Sequence, residues 1–335
     1  MKTYDIHGLV TVETDIELNI PDTFITDRID SSPDIRIVRD DINVTVPRAR
    51  MKQRKDYRYY RDGDAVVIDY GLMDLVVTIS SISDTFNVKF SKKYERANLN
   101  HLQGIWEIAL HLKLLQQDHI LFHAGGVDFN GSGFLIPGLG STGKTYTTLS
   151  LIDGEKYGYL SDDLTILGAD GSAYSYPQPT GTGPYTIEND ALADELDHSP
   201  LKERLADIPI FSILFGRYPW LYKSRETSVP AEMVCNKTEI ERLFLITGDG
   251  DDGVVETDLD DIIDKLVMQH FDTNKILNNH ILNCYSFLTG YSLVDQFDRT
   301  KMVLEEALSN VDCYELTSTS LNAYPDQIAT TVEKK

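Results

Sequence analysis

The sequence predicts an α/β protein with a β-rich N-terminal domain followed by a P-loop nucleotide-binding domain. Three observations predict this. Short runs rich in Val, Ile and Thr recur between turn residues over residues 4–90. An amphipathic helical pattern then covers residues 99–117. Behind it, an apolar run enters Gly138, Leu139, Gly140, Ser141, Thr142, Gly143, Lys144 and Thr145, which fits G-x-x-x-x-G-K-[ST], and a helical pattern leaves it. The expected boundaries are 1–96 for the β-rich domain, 97–320 for the nucleotide domain and 321–335 for a C-terminal tail.

In the first domain, strands are expected at 9–12, 35–38, 42–46, 65–70, 75–79 and 85–90. The piece 48–61 is basic and aromatic, with Tyr57, Tyr59 and Tyr60. It reads as a solvated strand edge in preference to a nucleic-acid surface, because the chain carries a net charge of -22. Acidic residues are spread along all 335 positions, and such a surface repels nucleic acid and anionic membrane. The pattern resembles that of proteins adapted to high internal salt, as in halophilic archaea. No apolar run reaches spanning length and the first residues carry no signal-peptide core, so a cytoplasmic protein without membrane insertion is expected. Cys235, Cys284 and Cys313 lie far apart without metal-ligand spacing and read as small apolar core residues.

The helix over 99–117 places Leu102, Ile105, Trp106, Ala109, Leu110 and Lys113 at helical spacing, only the last of them polar. Residues 120–129 and 134–136 are apolar and flank Asn130-Gly131-Ser132, a hairpin-type turn, so the strand entering the P-loop is expected to pair with its predecessor. Residues 145–152 read as a helix stopped by Gly154. Strand residues from Tyr157 then lead to Ser161-Asp162-Asp163 and a further strand at 164–167. A turn at 170–172 and a Pro/Gly-rich loop at 176–185 follow. Beyond them, helices are expected at 190–205, 259–270, 276–294 and 299–308, and strands at 211–215, 242–247 and 313–316, with an acidic turn at 249–253.

The chemistry in these residues is that of phosphate binding. Glycines let successive backbone N–H groups turn toward a phosphate, and a helix N-terminus behind them favours an anion. Lys144 neutralises the outer phosphates and the Thr145 hydroxyl suits a magnesium ion. An aspartate at a strand end beside such a loop, here Asp162, is where magnesium is held. Only about one short helix separates it from Lys144.

His123-Ala124-Gly125, the 130–133 turn, the P-loop and Ser161-Asp162-Asp163 together resemble the C-terminal kinase domain of the bacterial HPr kinase/phosphorylase family. They resemble still more its HPr-kinase-like relatives encoded beside peptide and cell-surface biosynthesis genes. Those proteins share the phosphoenolpyruvate carboxykinase fold. The resemblance is close over about forty residues, and it implies an ATP- and Mg2+-dependent transferase of serine-kinase type. In it Lys144 grips the phosphates, Thr145 with Asp162 organises Mg2+, Asp163 takes the proton of an attacking hydroxyl and His123 supports the active site. The acceptor would be a protein, a peptide or a small molecule, and since the relatives include oligomers the resemblance admits a homo-oligomer. The glycine-rich second signature of the true HPr enzymes has no convincing copy here, and the N-terminal strands do not resemble their N-terminal domain. Arg204, Arg217, Lys223 and Arg225 are the basic residues available to a transition state, and no spacing selects among them. Two other classes stay open at this point: a non-catalytic ATP-binding sensor, and an ATPase linked to cell-surface or glycan biosynthesis. His123 also reads equally well as a core histidine.

Overall fold

The computed structural model describes residues 1–29, 31–42, 44, 46, 51–71, 75–140, 142–152, 156–178, 180–181, 226–227, 229–248, 250–274 and 279–333. The expected helix at 190–205 and strand at 211–215 lie outside them. In chain order, β1 (Lys2–Ile6), β2 (Val10–Thr14), β3 (Ile35–Arg39), β4 (Lys52–Gln53), β5 (Arg58–Asp62), β6 (Ala65–Asp69), β7 (Val76–Ser80) and β8 (Phe86–Phe90) precede helix α1 (Lys92–Leu115). Then β9 (His119–Phe122), β10 (Ala124–Phe129) and β11 (Ser132–Pro137) lead to helix α2 (Lys144–Ile152). β12 (Gly158–Ser161), β13 (Thr165–Gly168), β14 (Ser172–Tyr174), β15 (Thr180–Gly181), β16 (Glu226–Thr227), β17 (Lys237–Gly248) and β18 (Gly253–Thr257) follow. The remaining elements are helices Leu259–Asn274, His280–Thr289 and Leu293–Ala307, strand β19 (Asp312–Thr317) and helix Ala323–Glu333. The fold is mixed α/β with a β-rich N-terminal region. No helix among the described residues is long and apolar enough to cross a membrane.

The chain gathers into two compact units. One takes Met1–His123, Ile166–Tyr174 and Thr257–Val311; the other takes Ala124–Thr165, Ser175–Glu256 and Asp312–Lys335.

The first unit contains an eight-stranded sheet in the order β1-β2-β3-β8-β7-β6-β5-β4. β2 and β8 alternate, β2 with Val10, Val12 and Thr14 inward, whereas β6 buries Val66, Val67, Ile68 and Asp69 in succession, so that strand is covered on both faces. Tyr60 of β5 is buried and the ring of Tyr57 lies 4.8 Å from that of His280, so these tyrosines serve the unit's own packing. The strand expected at 42–46 is not formed by the described residues there; Ile42 and Val46 instead pack beside Tyr60, Val67 and Val76.

Helix α1 starts seven residues ahead of its expected position. Ser91 caps it by accepting from the Tyr94 N–H, and the first turn is polar apart from buried Tyr94, so no apolar period announces it. Leu102, Ile105, Trp106, Ala109 and Leu110 are buried as expected. Ile108, Leu112 and Leu114 are buried too, and no side chain from Leu102 to Leu115 is exposed, so this part of α1 is a core helix covered nearly all round. Lys113 is buried with them. Its ammonium donates to the Ser83 and Asp84 carbonyls and, at 3.1 Å, to Gln116 Oε1, and burial lowers its pKa. The two helices expected at 276–294 and 299–308 are found at His280–Thr289 and Leu293–Ala307; the break between them falls earlier than expected, because Gly290 takes a left-handed conformation (φ 81°) and ends the first, and Ser292 caps the second.

In the second unit the strands run β12-β10-β11-β17-β19, with β18 paired to β19. Asn130 (φ 57°) and Gly131 (φ 89°) make the two-residue turn of the β10–β11 hairpin, which closes with Phe129 opposite Ser132. β11, β17 and β19 are mutually parallel. Helix α2 and helix 323–333 cover one face, burying Phe134, Ile136, Leu149, Ile152, Phe244 and Tyr324 in a single cluster. Residues 323–333 therefore form a packed helix where the sequence suggested only a tail. Cys284 and Cys313 are buried as expected, Cys235 is half-buried, and none of the three is in a disulfide.

Two tests follow from this packing. A Cβ on Gly133 would lie 2.5 Å from Thr238 Cγ2 and 2.8 Å from the Glu239 carbonyl oxygen, so Gly133→Ala is expected to destabilise the chain by about 1–3 kcal/mol in urea unfolding. An unchanged midpoint would show that β17 yields freely. Secondly, His111 and His270 are fully buried in the first unit with ring centroids 4.8 Å apart. Burial lowers His111 to about 4, and His270 is lowered by burial and then by the charges of His111 and His123. An unfolded histidine binds a proton near pH 6.5, so between 6.5 and 4 the unfolded chain holds more protons and stability falls as pH falls. His111 alone removes about 3 kcal/mol by pH 4. His111→Asn should flatten the slope of unfolding midpoint against pH in that window; parallel slopes would mean that His111 is protonated in the folded protein.

Candidate functional site

Strand direction decides what can meet at the end of β11. β10 runs antiparallel to β11 and β12 runs antiparallel to β10, so two reversals return β12 to the direction of β11. The carboxyl ends of β11, β12, β17 and β19 thus share one edge of the second unit. Such edges are where α/β sheets take ligands. The 138–145 loop follows β11 there, and Asp162 and Asp163 follow β12, with β10 between the two strands.

The loop leaves β11 through Gly138, which makes a parallel bridge to Ile246 and has no room for a side chain: a Cβ would lie 2.7 Å from Thr142 Oγ1. Thr142 donates through its hydroxyl to the Leu139 carbonyl at 2.8 Å. Gly143 has φ +99°, which only glycine adopts easily, and a Cβ on it would meet Leu321 Cδ2 at 2.6 Å. Helix α2 then begins at Lys144. Ser141 lies outside the described residues, whereas Leu139 and Gly140 are exposed at the tip.

Lys144 is only 6% exposed, and its Nζ donates to the carbonyls of Gly138 (2.7 Å) and Leu139 (3.0 Å). Burial lowers its pKa, and the charges of Asp163 and Asp162 oppose that shift. Both aspartates therefore stand within electrostatic reach of the lysine. Thr145, next on the helix, is half-buried.

The Asp162-Asp163 turn is held from three sides. Ser161 Oγ and Thr165 Oγ1, 2.5 Å apart, both donate to the Ala124 carbonyl, at 3.3 and 2.9 Å. Gly125 has no side chain where the Thr148 hydroxyl of α2 comes down on β10; a Cβ there would collide with Thr148 Oγ1. Tyr159 donates to Asp162 Oδ1 at 2.8 Å. Asp162 is buried and Asp163 is exposed, so neighbouring carboxylates have different surroundings.

Lys144, Thr145, Asp162 and Asp163 belong to one unit. His123 ends the first stretch of the other, buried, with Nδ1 3.2 Å from Gln269 Nε2 and its carbonyl accepting from the same amide at 2.9 Å. Arg204, Arg217, Lys223 and Arg225 lie outside the described residues. Tyr159 and Leu321 are the site residues that sequence reasoning missed. Among the described residues no three His, Cys, Asp or Glu side chains form a metal-binding group. The oxygen donors of Thr145 and Asp162 nonetheless suit magnesium, a hard cation that takes one or two protein oxygens and completes its shell with phosphate and water.

Gly143→Ala should lower the free energy of unfolding by about 1–2 kcal/mol, from the left-handed backbone plus the contact with Leu321. Adding Leu321→Ala should recover only the contact part. Full recovery would mean that the backbone conformation carries no strain.

Searches of protein-family models and of curated proteins find no match to this chain, so the chemistry of the site is read from its own residues.

Proposed function

We propose that this protein is an HPr-kinase-like phosphotransferase that moves the γ-phosphoryl group of ATP to a hydroxyl of a protein, peptide or small-molecule acceptor. The observation that carries the reading is the neighbourhood of Lys144: a desolvated ammonium at a helix start, behind a glycine loop, within reach of two carboxylates at the same sheet edge. A phosphate needs the first part of that arrangement and phosphoryl transfer needs the second.

Each group then has a task. The N-terminal N–H groups of α2 and the Lys144 ammonium bind the β- and γ-phosphates. Thr145 and Asp162 would hold Mg2+, which when bound neutralises charge on the phosphate oxygens. Asp163, exposed at the turn, accepts the proton of the acceptor hydroxyl. As that oxygen bonds to the γ-phosphorus, the bond to the bridging oxygen of ADP breaks and ADP leaves with the electron pair.

Incubation with γ-labelled ATP, Mg2+ and an extract of the source cells, in high potassium chloride, tests the reading. Lys144→Ala should lose ATP binding by tenfold or more, about 1.4 kcal/mol or above. Asp163→Asn should bind ATP as the wild type does while label transfer falls by on the order of 10²–10⁴. Transfer that survives in Asp163→Asn would remove the proposed base. ATP binding by the wild type with neither transfer nor hydrolysis would favour a sensor.

A further inference from the structure

We propose that Tyr159 is a positioning residue, which sets the direction of the Asp162 carboxylate toward a divalent cation bound with the nucleotide. This rests on the phosphate-site reading above. β12 ends at Ser161, and Asp162 begins the turn that follows it. Opposite β12, Gly126 pairs with Ser161 and the next residue, Val127, pairs with Tyr159, so Leu160 is an inserted residue of a β-bulge and the strand bends as it reaches the turn. Across that irregular end the Tyr159 phenol donates to Asp162 Oδ1 at 2.8 Å.

The donor is itself rigidly placed. The Tyr159 ring is fully buried in the cluster beneath α2, and its backbone carbonyl accepts from the Cys235 N–H at 2.8 Å while the residue bridges Val234. A fixed ring fixes its hydroxyl, and a carboxylate bound through one oxygen presents the other in a set direction. Outer partners of this kind govern how well a carboxylate holds a metal, and their loss weakens metal affinity by about 10–100-fold. Phenylalanine would fill the same space, so packing alone does not require the hydroxyl.

The test is binding of a fluorescent ATP analogue titrated with Mg2+, for wild type, Tyr159→Phe, Asp162→Asn and the double variant, with unfolding midpoints measured alongside. Tyr159→Phe is expected to keep the wild-type midpoint to within a few degrees and the wild-type affinity for the analogue without metal. Its half-saturating Mg2+ concentration should rise by about tenfold or more. Asp162→Asn should raise it at least as far, and the double variant no further than Asp162→Asn alone. Wild-type Mg2+ dependence in Tyr159→Phe, or independent effects that multiply in the double variant, would overturn the positioning role and leave the phosphate site standing. Failure of the wild type to bind the analogue with Mg2+ would overturn the phosphate site and this inference with it.

Discussion

Everything at the candidate site depends on the double reversal of direction from β11 through β10 to β12. If β12 ran the other way, its two aspartates would lie at the opposite edge of the sheet, a strand length from the loop. The reversal also explains the short chain between Lys144 and Asp162. Nine residues of helix α2 span about 13 Å, and four residues of β12 span about 13 Å. The helix is thus as long as it must be to carry the chain back to the start of β12. A loop and its acidic partner can then be neighbours in space after barely one helical excursion.

Close approach is the second condition. Gly125 lets α2 settle on β10, Gly138 lets the loop turn against β17, and Gly143 accepts both a left-handed backbone and the side chain of Leu321. These contacts bury the start of α2. Burial takes water from Lys144, so its ammonium leans on two backbone carbonyls of its own loop. A charge held that way is stabilised by ligands it can exchange, because any anion reaching the N–H groups offers the same ammonium a stronger partner than a carbonyl dipole.

Which parts of this were legible in the sequence follows from how local each cause is. The β10–β11 turn was legible because Asn130-Gly131 supplies both positive φ values in adjacent residues. The loop and α2 were legible because glycines and Lys-Thr sit at fixed spacing. The start of α1 was not, since its first turn is polar and its cap follows directly on a strand. Nor was the position of the break at Gly290, where a single left-handed residue ends one helix and Ser292 at once begins the next. Tyr159 was least legible of all. Its contact with Asp162 runs across the bulged end of β12 into the turn, and that bulge is a property of pairing with β10 that no run of residues in β12 declares.

On the proposed reading, a phosphate site in a chain of net charge -22 would have to act at contact range. At physiological ionic strength the screening length is about 8 Å, so surface carboxylates beyond that distance contribute little repulsion. Higher salt shortens it further. Within that radius the balance is local: the ammonium of Lys144 and the N-terminal dipole of α2 stand against Asp162 and Asp163. Two carboxylates beside one ammonium leave a net negative charge, which by itself would turn an anionic phosphate away. In the proposed function a divalent cation accompanying the phosphate would reverse that sign, so the same pair of aspartates that would oppose the nucleotide alone would favour it once the metal came with it.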